Sequence, residues 1–154
     1  GHYRKAAIIH DFYCDSEHRY RPWGKVHRVF YDAMITAGVP KPQALLMYYA
    51  VWRFGPRWEV KEITNCREGH VCFDASVVKG IVTTTKPVID STTEELAKEE
   101  LRKLQARLGT EAIEPEDVIA SAAAQRPVKT EDTRTEFDEK TAEGRQFLRQ
   151  LQRR

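Results

Sequence analysis

Apolar residues recur along this chain first at helical spacing and then in extended texture, and the change of period divides it. Over residues 4–14 (RKAAIIHDFYC), Ala6, Ile9, His10 and Tyr13 share one face of a helix. The stretch 15–24 is polar and punctuated by Pro22 and Gly24, which marks a connection. Val26, Val29, Phe30, Ala33, Met34 and Ala37 then define an amphipathic helix over 25–37, which Gly38 stops. A third helix is expected from Pro42 to Phe54, with proline in its first turn and Gly55-Pro56 as terminator. Leu45, Leu46, Met47, Tyr48, Tyr49, Val51 and Trp52 make it apolar nearly all round, so it belongs at the centre of the packing.

Beyond Trp58 the texture changes. The run HVCFDASVVKGIVTTTKPVI is rich in β-branched residues and reads as one hairpin or an extended arm. A capping box of Ser91 and Glu94 opens a helix over 92–108, striped by Leu96, Leu101, Leu104 and Leu108. A short helix starts at Pro115 and fades near Ala124. Residues 126–138 (RPVKTEDTRTEFD) have no periodicity and read as a flexible linker. A last helix over 139–152 carries Phe147, Leu148 and Leu151, ringed by Arg145, Arg149 and Arg153. The expected fold class is mainly α: an antiparallel helical core over 1–58, an irregular or β arm over 59–90, and an extended, charged helical tail over 91–154.

Composition sharpens this division. Residues 1–58 hold 12 of the 15 aromatics and 9 Lys+Arg against 4 Asp+Glu; residues 59–154 hold 3 aromatics and 16 against 19. The first part can bury a core, whereas the tail is polar enough to need a surface to dock on. A net charge of +2 over 154 residues gives no argument for nucleic-acid binding. No apolar run reaches the ~18 residues of a membrane-spanning helix. The first methionine is Met34, so a segment upstream of Gly1 is expected.

His10 and Asp11 are the residues whose chemistry stands out. Adjacent helical positions project about 100° apart. One can therefore face a partner helix as a general base while the other holds a cation at the rim. The competing reading is a histidine packed between helices beside a solvated aspartate. Cys66 and Cys72 bracket a short loop around Gly69; they are reduced thiols in a reducing compartment or a disulfide in an oxidising one. A zinc site of Cys66, His70 and Cys72 with Cys14 or His18 fits no common ligand spacing. The chain has no P-loop, no GxGxxG and no GxSxG.

Three blocks, AAIIHDFYC, VHRVFYDAM and GVPKPQALLMYYAVWRFG, resemble in order and spacing a family of uncharacterised bacterial and bacteriophage domains. Its members read KAAxxHDxLY, ADxxFxxAM and GVxxxxAxxMYxAVxxFG, and the match covers residues 3 to 55. The helix pair is also distantly similar to the core of secreted phospholipases A2. That resemblance implies His10 as base, Asp11 as calcium ligand, and an orienting carboxylate at position 27, where this chain has His27. Imidazole supplies no negative charge to stabilise an imidazolium, which counts against turnover. The expected function is therefore a structural or assembly component of a bacteriophage or bacterial effector or secretion particle, with residues 91–154 on a partner chain. The alternative is a calcium-dependent, phospholipase-A2-like lipid hydrolase acting on membrane lipid. The expected setting is a virion, the bacterial cytoplasm, or a secreted effector.

Overall fold

The computed structural model describes residues 4–153. Three helices form where the apolar spacing places them: α1 (Arg4–Cys14), α2 (Trp23–Thr36) and α3 (Lys41–Phe54). A 3-10 turn at Ser16–His18 lies between α1 and α2. Pro42 occupies the first turn of α3, where a missing N–H costs nothing. Ala6 of α1, Phe30, Tyr31 and Met34 of α2, and Ala44, Leu45, Tyr48 and Tyr49 of α3 meet in one buried cluster. Tyr48 and Tyr49 are among the largest fully enclosed side chains, as expected of a helix apolar on all sides.

The expected mainly α class is corrected by the second half of the chain. Strands β1 (Arg57–Thr64), β2 (Val77–Pro87) and β3 (Thr130–Asp138) form one antiparallel sheet in the order β1-β2-β3. With α4 (Ser91–Leu108), α5 (Pro115–Ala123) and α6 (Ala142–Gln152) the fold is α/β, 53% helical and 19% strand. The stretch 126–138, expected as a flexible linker, supplies β3. Its apolar content is small because it needs little: Phe137 is its one buried residue, and the ladder to β2 satisfies the backbone. Periodicity reports burial, and a strand that buries one residue in nine has almost none to show.

The tail is not extended either. α4 contributes Leu104 and α5 contributes Val118 and Ala122 to the helical cluster around α3. α6 lays Phe147, Leu148 and Leu151 on the sheet, against Val82, Trp58 and Phe137. The Phe137 and Phe147 rings stack at 4.2 Å. Gly80 of β2 makes this approach possible, since a Cβ there would stand 3.0 Å from the Phe147 ring. α4 is capped by Asp90, whose carboxylate accepts from the Thr93 N–H at 2.8 Å; the expected cap at Ser91 lies one residue too far on. The amphipathic helices of 91–154 thus have their docking surface within their own chain.

Two buried polar links tie these layers together. Arg53 of α3 pairs with Glu100 of α4, with Nε–Oε1 at 2.9 Å, and Tyr49 donates its hydroxyl to the same carboxylate. Arg53 Nη2 also donates to the Arg126 carbonyl at 2.7 Å, just ahead of β3. On the other side, Arg19 donates to the Cys14 carbonyl and to Thr84 Oγ1, both at 2.7 Å, joining the end of α1 to the middle of β2.

Candidate functional site

His10 stands on the inner face of α1 and His27 on the inner face of α2, the two helices being packed on one another. His10 Nε2 lies 2.8 Å from His27 Nδ1, and His27 Nε2 lies 3.0 Å from the Pro56 carbonyl oxygen. That carbonyl fixes the protons of the whole chain of bonds. A carbonyl only accepts, so His27 carries its proton on Nε2 and leaves Nδ1 bare. His10 then donates from Nε2 to His27 Nδ1, and its own Nδ1 is the unprotonated nitrogen. Gly55 lets the carbonyl come so close: a Cβ there would stand 2.2 Å from the Val51 carbonyl oxygen and 3.3 Å from the His27 ring.

The surroundings favour neutral rings. His27 has no exposed surface and sits edge-on to Trp23, Trp52 and Trp58. Burial, reinforced by the neighbouring His10, pushes its pKa down to about 4. The His10 ring is 9% exposed and packs on Phe30 at 4.8 Å between centroids. Burial lowers its pKa too, against the opposing pull of Asp11. Asp11 projects into solvent, 82% exposed, with Oδ1 3.8 Å from His10 Nδ1.

The structure adds one member that the sequence motifs do not single out. Cys14, one helical turn after His10, places Sγ 3.5 Å from His10 Nε2. It is half-buried, and burial pushes its thiol up to about 11. The signal available in the sequence is His-x3-Cys on one face of a helix. Cys14 is the free thiol among the three cysteines. Cys66 and Cys72 form a disulfide across Gly69, with Cα atoms 5.8 Å apart, so the alternative zinc site at Cys66, His70 and Cys72 lacks its thiolates. His18 stacks on Phe12, away from this pair of cysteines.

The calcium ion implied by the phospholipase resemblance needs about six to eight oxygen donors. Among the described residues, the acidic, His and Cys side chains that gather closely enough to hold an ion are His10, Cys14 and His27, all nitrogen or sulfur donors. Asp11 is not among them.

The architecture is thus a two-helix unit with paired histidines, joined to an antiparallel sheet. Comparison with known proteins places the first part of it in context. A family model described as "Protein of unknown function (DUF1353)" matches residues 1–51, which run from the N-terminus into α3 and include His10, Asp11, Cys14 and His27. Two bacterial proteins of Sinorhizobium fredii (strain NBRC 101917 / NGR234) are similar to part of the chain. "Uncharacterized protein y4iH" is 55% identical over 56 residues, 36% of this chain and 23% of that protein. "Uncharacterized protein y4jT" is 41% identical over 61 residues, 40% of this chain and 18% of that protein. The chain therefore spans less than a quarter of either relative by its matched stretch. No solved structure matches. The N-terminal third resembles an uncharacterised bacterial domain, while the sheet and α4 to α6 lie outside the stretch the family model matches. No described helix is long and apolar enough to cross a membrane.

Proposed function

We propose that this chain is a structural or assembly component of a bacterial or bacteriophage particle, effector or secretion assembly, with the helix pair kept as scaffold. The observation that carries this reading is the closure of His10. Its Nε2 is taken by His27, its ring lies on Phe30, and it is almost fully enclosed. The cavity of about 300 Å³ beside the α1–α2 pair is lined by Tyr13, Arg21, Pro22, Lys25, Val26 and Val29, and His10 is not among them. A partner surface is available elsewhere than on the packed tail. The β1–β2 loop presents Val71 and Phe73, 81% and 97% exposed, on a segment braced by the Cys66–Cys72 disulfide. A persistent disulfide suits a particle or effector that works outside the reducing cytoplasm.

One observation favours hydrolysis as a second reading. The bare Nδ1 of His10 is oriented by His27 and faces the side of α1 that carries Asp11. Ile8, Ile9 and Phe12 stand exposed on the same helix, where an acyl chain or lipid surface would be met.

The two readings separate in one pair of measurements on the protein. Fatty-acid release from phospholipid vesicles is expected to equal that of His10→Ala, with calcium or with chelator. Release that the substitution abolishes would overturn the assembly reading in favour of the hydrolase. In producing cells the protein is expected in a high-mass complex that is lost in Val71→Asp/Phe73→Asp with the melting temperature unchanged. A wild-type protein that runs as a free monomer in cells would sink the proposal.

A further inference from the structure

We propose that His10, Cys14 and His27 bind a zinc-class transition-metal ion that staples α1 to α2. One ligand atom from each of the three residues lies within 4.8 Å of the other two, and His10 Nε2 is the atom nearest both His27 Nδ1 and Cys14 Sγ. The ligand types are those zinc takes, with neutral imidazole and thiolate in place of oxygen.

Two of the three spacings are close to what coordination demands, and the third, between His27 and Cys14, is bounded at 4.8 Å and must close by rotation of the Cys14 side chain. Zn–N bonds of about 2.0–2.1 Å and a Zn–S bond of about 2.3 Å at tetrahedral angles put N···N near 3.3 Å and N···S near 3.6 Å. The observed His10 Nε2–Cys14 Sγ separation of 3.5 Å already matches. The His10 and His27 nitrogens, 2.8 Å apart in the metal-free arrangement, separate by about half an ångström, which rotation of the two rings supplies.

Independent support comes from the groups behind the ligands. A metal-bound histidine usually gives its other N–H to a carbonyl or carboxylate, which fixes the tautomer and strengthens the ligand. His27 has this bond already, from Nε2 to the Pro56 oxygen at 3.0 Å. For His10 the corresponding acceptor is Asp11, whose Oδ1 stands 3.8 Å from Nδ1 and must swing inward to close the bond. In the metal-free state that pair faces a bare nitrogen with a carboxylate, an arrangement without a proton to share. Metal binding resolves it. The Nε2 lone pair of His10 goes to the ion, the ring proton moves to Nδ1, and Asp11 accepts from it. The thiol of Cys14 loses its proton to solvent, so one proton is released per ion and the centre carries a net charge of +1 for a divalent metal. Three protein ligands leave a fourth position for water. With its Nδ1 protonated, the metal-bound His10 is not a base, so this inference extends the scaffold reading and also stands without it.

The test is a cobalt(II) titration of tag-free protein with the Cys66–Cys72 disulfide intact, so that Cys14 supplies the free thiol. The expected result is one Co²⁺ per chain, a thiolate-to-cobalt charge-transfer band, the intense visible bands of a four-coordinate ion, and displacement by Zn²⁺. Cys14→Ser should remove the charge-transfer band, and Asp11→Asn should weaken affinity by about 10-fold with the band retained. Cys66→Ser/Cys72→Ser should leave the spectrum unchanged. A folded wild-type protein with no charge-transfer band would overturn the proposal. So would a band that survives Cys14→Ser or disappears with the Cys66/Cys72 pair. Loss of vesicle hydrolysis or of the high-mass complex bears on the proposed function alone, and leaves the cobalt spectrum to decide this site.

Discussion

Two imidazoles enclosed side by side resist protonation, and that resistance is a pH-dependent part of stability. An unfolded chain protonates His27 near its ordinary value of 6.5, whereas the folded protein holds it neutral down to about 4. Between those values the unfolded state binds more protons, so stability rises with pH and is lost on acidification. Each pH unit separating the folded and unfolded values is worth about 1.4 kcal/mol, so His27 alone contributes on the order of 3 kcal/mol of acid-linked destabilisation. His10, lowered in the same direction, adds to it. Urea unfolding in the presence of chelator should therefore show a midpoint that falls steadily from pH 6.5 to pH 4. The fall should be visibly shallower in His27→Gln. An equal slope in both proteins would mean that other groups carry the acid transition.

At the scale of elements, the Arg53–Glu100–Tyr49 link fastens α3 to α4, and it is sealed from water on both sides. Removing one partner strands the other charge in a dry site, so Glu100→Ala should cost about 3–5 kcal/mol, well above a surface substitution such as Glu99→Ala. Thermal unfolding of the two variants checks this directly. The same element scale shows what is legible in the sequence. α1, α2 and α3 can be placed to within about two residues because each carries an apolar stripe, with Gly38 and Gly55-Pro56 stopping α2 and α3 and the polar stretch after Cys14 ending α1. β2 is visible as β-branched texture, β1 only as part of the irregular or β arm expected over 59–90, and β3 is not visible at all. Thr133 and Thr135 face Thr84 and Val82 across the ladder, so the strand is held by pairing with a distant partner rather than by its own apolar side chains. The site is half legible for a related reason. His10 and His27 follow from the resemblance in the helix pair. Cys14 and the Pro56 carbonyl join them only once α1, α2 and the end of α3 are in place, and a carbonyl carries no mark in the sequence.

For the whole molecule, residues from the expected core (1–58), arm (59–90) and tail (91–154) pack into shared clusters. The helical cluster draws Leu104, Ile113, Val118 and Ala122 from beyond residue 100, and the sheet cluster draws Phe137, Phe147, Leu148 and Leu151. A chain cut after residue 125 would expose Val82, Trp58 and Tyr20 and leave one side of β2 without its ladder. Such a fragment should lose cooperative thermal unfolding and bind an apolar dye at neutral pH, as expected of a collapsed but loosely packed state. A sharp unfolding transition near that of the full chain would show instead that residues 1–125 suffice.

The pairing of β2 with β3 also sets a schedule for the chain as it is made. β1 and β2 can close as a hairpin as soon as Pro87 has emerged, yet Lys79 to Pro87 of β2 meet their β3 partners between 43 and 59 residues later. At translation rates of about 5–20 residues per second, that interval lasts roughly 2 to 12 seconds. Throughout it, the run VVKGIVTTTKP offers one open edge to any other nascent chain on the same messenger. The late strand is therefore a guard as well as a structural part, and slow decoding between β2 and β3 would lengthen the time this edge stands unguarded.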